Sequence, residues 1–103
     1  MSLITSQSHI DAEIVAAKIA DGDFDVQVSP AFEIGGSTYR VVMDGHHSLA
    51  AAIEAGVDPV IVEQSARTND KVALLDDGKI EDFLAACWMD GEYCFATSGK
   101  SVW

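Results

Sequence analysis

Residues 39–62 decide how this chain folds: Tyr39-Arg40-Val41-Val42-Met43-Asp44-Gly45-His46-His47-Ser48-Leu49-Ala50-Ala51-Ala52-Ile53-Glu54-Ala55-Gly56-Val57-Asp58-Pro59-Val60-Ile61-Val62. The opening residues read as a strand, with Tyr39, Val41 and Met43 on one face and Thr38, Arg40 and Val42 on the other. Asp44-Gly45 breaks it. From His46 to Ala55 the alanine-rich run favours a helix. Gly56 is a natural helix stop, and Pro59 follows soon after. Val60-Ile61-Val62 is a short apolar strand. The order strand, turn, helix, strand predicts a crossover unit, right-handed if its two strands are parallel.

Upstream, residues 6–23 read as a helix. Ser8 is its expected cap, with Asp11 three residues on. Ile10, Ile14, Val15 and Ala17 supply its apolar face, and Asp21-Gly22-Asp23 ends it. Val26-Gln27-Val28 is extended, and Pro30 marks a strand edge or a break. Ala31–Ile34 and Thr38–Met43 flank Ile34-Gly35-Gly36-Ser37, a hairpin signal, because glycine accepts the positive φ of tight turns.

Downstream, residues 64–78 are polar and read as loop. Asp76 or Asp77 is the expected cap of a helix from Lys79 to Met89, with Ile80, Phe83, Leu84 and Cys87 on one face. Asp90-Gly91 ends that helix, residues 92–97 read as a final strand, and Ser98–Ser101 reads as a turn. Trp88 is expected in the core. Trp103 is expected to pack on the sheet or to mediate self-association. Gly99-Lys100-Ser101 lacks the upstream glycine spacing of a phosphate-binding loop and carries no weight.

The 103 residues, 49% of them hydrophobic, suit one domain with one core. No internal repeat or linker divides it. The expected fold is therefore a single-domain α/β (α+β) protein, with a small mixed sheet, a β-hairpin and about three helices.

Seventeen Asp and Glu stand against six Lys and Arg, a formal net charge of −11. Such a chain repels a phosphate backbone at long range, so sequence-independent duplex DNA binding is disfavoured. The acidity serves solubility, or it presents a surface that mimics nucleic acid or docks a basic partner. Cys87 and Cys94 form neither a disulfide framework nor a CxxC pair, and Cys87 reads as a reduced core thiol. The first residues carry no signal-peptide pattern and no apolar run is long enough to span a bilayer, so the expected location is the cytoplasm.

The turn at Asp44–Ser48 is the segment that carries chemistry. The first N–H groups of a helix lack intrahelical partners and sit at the positive end of its dipole, which suits an anion such as phosphate. Gly45 permits close approach to the backbone. Ser48 adds a hydroxyl, and His46 and His47 add ring donors. Asp44 either caps the helix or acts as a general base or magnesium ligand. Adjacent histidines do not share a helix face, and a metal site joining Asp44, one of them and His9 matches no zinc spacing. No metal site is therefore assigned. Arg40, Arg67 and Lys71 are either surface charge or cations that reach a ligand.

With these residues in view, the segment resembles the ParB/sulfiredoxin-like superfamily. Its members carry a strand ending in a glycine turn, a polar pair, an alanine-rich helix closed by glycine, and a short strand. The match covers about residues 9–63, with residues 64–103 expected to add a helix and a strand to the same domain. The resemblance implies a nucleotide or phosphorylated ligand at the helix start, with ATP or another nucleotide and magnesium as cofactors. Asp44 and His47 would be catalytic, and Gly45, His46, His47 and Ser48 would hold phosphate.

The departures are specific. Sulfiredoxin's reactive cysteine position is His46, which argues against sulfinic-acid reduction. The arginine most members place before the alanine-rich run is Ser48, which removes bidentate phosphate recognition. No helix-turn-helix module follows, which argues against chromosome partitioning. Two functions stand: a nucleotide- or phosphate-binding domain with phosphoryl-transfer or hydrolytic activity, or a non-enzymatic acidic module that binds a basic protein. A homodimer is a further expected assembly.

Overall fold

The computed structural model describes residues 2–103. The chain is mixed α/β, and the described residues form four helices and one six-stranded mixed sheet. Its hub is β4 (Ser37–Asp44). On one side β4 pairs in parallel with β1 (Ser2–Thr5). On the other it pairs antiparallel with β3 (Phe32–Ile34) and, further along, with β2 (Asp25–Val28). Pro30 lies between these two short strands, so the break expected there is observed. Ser29 spans the gap: its N–H donates to the Val41 carbonyl at 2.9 Å, and its hydroxyl accepts from the Val41 N–H at 3.0 Å. β3 and β4 form the expected hairpin, with Gly35 and Gly36 both at positive φ.

β5 (Val60–Glu63) adds to the outer side of β2 in parallel, and β6 (Cys94–Phe95) adds antiparallel to β1. The resulting path is β5-β2-β4-β1-β6. The expected crossover unit is thereby corrected. β2 separates β4 from β5, and since β2 is antiparallel to β4 and parallel to β5, β4 and β5 run in opposite directions.

The two faces of β4 lead to two cores, as the alternation predicts. Tyr39 and Val41 join Ile4 and Phe32 beneath Phe83 and Cys87 of α4 (Ile80–Cys87), with Leu74 and Leu75 of α3 (Val72–Asp76) alongside. Full burial of Phe83 stabilises the fold by about 2–3 kcal/mol relative to exposure. Val42 joins Val26 and Val28 against Leu49 of α2 (His46–Ala55), and α1 (Ala12–Asp21) packs beside α2.

Several boundaries differ from the sequence reading. α1 starts at Ala12, not at residue 6, and Asp11 caps it by accepting from the N–H groups of Glu13 and Ile14. Ser8 is diverted: its N–H and hydroxyl both donate to the Asp90 carboxylate. Ile10 and Ile14 face outward, and Val15 is the residue that α1 buries. Residues 72–76, expected as loop, form α3 because Val72 is buried. Asp76 and Asp77 do not cap α4: Asp77 closes α3, and Gly78 at φ 75° turns the chain before Lys79. Trp88 is not core. α4 stops at Cys87, Trp88 turns extended, and it is 58% exposed. Trp103 does pack toward the sheet, its ring edge-on to Tyr39 and Tyr93. The final strand shrinks to Cys94–Phe95, because the chain folds back through Gly99 and the Lys100 carbonyl accepts from the Phe95 N–H. Among the described residues no helix is long and apolar enough to cross a membrane.

Candidate functional site

The Asp44–Ser48 turn forms where β4 ends and α2 begins. Gly45 sits at φ 85°, a conformation that favours glycine. A side chain there would collide with the Asp25 carbonyl oxygen and would lie 3.1 Å from the Val26 Cα. The close approach this glycine permits is therefore that of β2. Asp44 is exposed, and its carboxylate accepts the N–H of Gly45 at 2.7 Å. It does not cap α2, which has no side-chain cap. The helical ladder starts with the Leu49 N–H donating to the Gly45 carbonyl, so the N–H groups of His46, His47 and Ser48 precede it.

The three side chains that follow Gly45 all make contacts within the protein. His46 is buried at 8% exposure, with Nε2 2.7 Å from the Thr5 hydroxyl at the end of β1. Burial lowers its pKa, and the opposing pull of Asp44 is smaller. The ring is neutral at neutral pH and lends no charge to an anion. His47 Nε2 accepts the backbone N–H of Asp11 at 3.1 Å, which places the ring proton on Nδ1. One imidazole thus holds the residue that caps α1. Ser48 is buried, and its hydroxyl donates to the Asp23 carboxylate at 3.2 Å.

Asp23 also binds Lys18 at 2.8 Å. That hydrogen bond raises the Lys18 pKa and lowers that of Asp23. Lys18, Asp44, Gly45, His47 and Ser48 share a cleft of about 200 Å³, and a neighbouring depression of about 250 Å³ is lined by Asp23, Asp25 and Asp44. A larger and more apolar cleft of about 360 Å³ lies against Thr5, His46, Leu49, Ile53 and Phe95.

The structure therefore gathers Asp44, Gly45, His46, His47 and Ser48 in one turn, and brings Lys18 to it. It does not bring Arg40, Arg67 or Lys71 there. Arg40 lies 3.5 Å from Glu63, and Arg67 and Lys71 are exposed elsewhere. Thr5, Asp11, Lys18 and Asp23 were not singled out from sequence as partners of the turn. No local signal marks them, because they lie 25 to 41 residues away from, or on a different element than, the groups they meet.

The donor set does not fit a magnesium-bound nucleoside triphosphate. Among the described residues its one cation, Lys18, is paired to Asp23, the buried His46 lends no charge, and Asp44 lines the cleft while Asp23 and Asp25 line the neighbouring depression. Among the described residues no group of three or more His, Cys, Asp or Glu is placed to hold a metal ion. No protein-family model, curated protein or solved structure matches this chain.

Proposed function

We propose that this chain is a divergent ParB/sulfiredoxin-like domain whose Asp44–Ser48 turn serves the fold, and that it acts as a non-enzymatic module binding a basic protein through its acidic surface. The order of elements from α1 to β5 supports the family assignment. One observation carries the functional reading. The side chains of His46, His47 and Ser48 are engaged with Thr5, Asp11 and Asp23, so the motif joins β1, α1 and α2. What the chain offers a partner is negative charge, a net −11. The unpaired cysteines, Cys87 buried among them, support a cytoplasmic location.

The test is a pair of titrations. A lysine-rich peptide binds at low salt and is released as salt screens the charges. ATP, CTP, GTP, ADP and phosphate, with and without magnesium, leave the melting temperature unchanged. A nucleotide that raises it, with the gain lost in Asp44→Ala, overturns the reading.

A second reading retains the turn as a site for a small phosphate-bearing ligand. The observation in its favour is that the N–H groups of His46, His47 and Ser48 precede the α2 ladder, and these residues line the cleft that Lys18 shares. In that reading Asp44 and His47 flank the bound phosphate, and their alanine variants weaken its binding.

A further inference from the structure

The edge strand β5 combines three properties. It is the outermost strand of the sheet, paired with β2 alone. It is apolar, with Val60, Ile61 and Val62 at 53%, 44% and 38% exposure, and neither of its faces is covered. Its surroundings are acidic: Asp58 and Glu63 bracket it and Asp25 stands opposite Val60, with Glu63 already 3.5 Å from the Arg40 guanidinium.

The backbone of this edge is open in a defined pattern. The N–H groups of Val60 and Gln64 donate inward to the carbonyls of Phe24 and Val28. Parallel pairing alternates, so Ile61 and Glu63 direct their N–H and carbonyl groups away from the sheet. Edge strands are ordinarily guarded by lysine, a bulge or a covering segment. Only Pro59 and Glu63 frame this one.

We propose that β5 is a docking edge for an extended, basic segment of another protein, which adds to the sheet as a seventh strand. This rests on the reading of the chain as a module for basic partners, and it names the surface and the partner's form. The main-chain groups of Ile61 and Glu63 hold the incoming strand. Apolar side chains of that strand cover Val60 and Val62, or Ile61, and its Lys or Arg residues meet Asp25 and Asp58. The net charge selects this occupant over a second copy, since two chains of −11 repel and would bring the same acidic rims together.

The probes are a short peptide in which valine and lysine alternate and a peptide of equal charge in which proline and glycine replace valine. Fluorescence anisotropy reads their binding to the full chain, and hydrogen exchange reads protection of the backbone. The alternating peptide is expected to bind about tenfold more tightly than its control and to protect the N–H groups of Ile61 and Glu63. Ile61→Pro removes an outward donor and no sheet hydrogen bond, and it is expected to abolish that preference. Val62→Lys sets like charge against the peptide and weakens binding without touching the backbone, which covers the case of a proline variant that does not fold. Equal binding of both peptides, with no protection at Ile61 and Glu63, overturns the docking edge and leaves the basic-partner reading standing. Binding of neither peptide overturns both.

Discussion

His46 Nε2 and the Thr5 hydroxyl lie 2.7 Å apart, a hydrogen bond that fastens the first turn of α2 to the end of β1 across 41 residues of sequence. The burial that makes this contact also fixes its pH dependence. The unfolded chain takes up a proton near the ordinary histidine value of 6.5, whereas burial holds the folded His46 below it. Stability is therefore fully present above that pH and is lost as pH falls through it toward the lowered folded value. One such proton gives a slope of at most about 1.4 kcal/mol per pH unit. Denaturation at a series of pH values should show this slope in the wild type and its loss in His46→Asn. The lowered carboxylates Asp23 and Asp90 act in a separate window, below their ordinary value of 3.8.

Gly45→Ala should be among the most damaging single substitutions in the turn. It forces a positive φ on a side chain and drives that side chain into β2. A loss of at least about 2 kcal/mol is expected from urea denaturation. A neutral result would mean that β2 and the turn separate readily.

The link between His47 and Asp11 distinguishes a structural imidazole from a catalytic one. His47→Ala leaves the Asp11 N–H without its acceptor and should cost about 1 kcal/mol of stability. His47→Gln keeps an acceptor and should recover part of it. Asp11→Ala removes the α1 cap and should cost about 1 kcal/mol as well. A His47→Ala chain as stable as the wild type would contradict this role.

Trp88 and Phe83 form a paired test of where the core beneath α4 ends. Trp88→Ser should change stability by no more than about 0.5 kcal/mol, because the ring is largely exposed. Phe83→Ala should cost about 3–5 kcal/mol, because the ring is fully buried between sheet and helices. Thermal or chemical denaturation of the two variants decides it.

The legible parts of this fold are those written in local pattern. The alternation of Tyr39, Val41 and Met43 against Arg40 and Val42 sorted the two faces of β4, and Gly45 and Gly56 bounded α2 within a residue. β1 was missed because four residues at a chain end carry little signal, and its strand character comes from pairing with β4. α3 was passed over because its apolar run Val72-Ala73-Leu74-Leu75 is only four residues long within a polar stretch, too short to fix a helix by pattern alone. Trp88 was misplaced because size and hydrophobicity predict burial on average, while its fate depends on where α4 stops. The site divides in the same way. The turn itself was readable, but the partners that occupy His46, His47 and Ser48 are long-range. A pattern that suits phosphate and one that ties helices together look alike until Thr5, Asp11 and Asp23 are in place.

The most direct test of the central claim is a pair of amide NMR titrations of the full chain, one with magnesium ATP and one with the alternating valine–lysine peptide. The account predicts that the N–H signals of His46, His47 and Ser48 stay in place with nucleotide, while signals along β5 and its acidic neighbours shift with peptide and return at high salt. Saturable shifts of the three turn signals with nucleotide, and none with peptide, would contradict it.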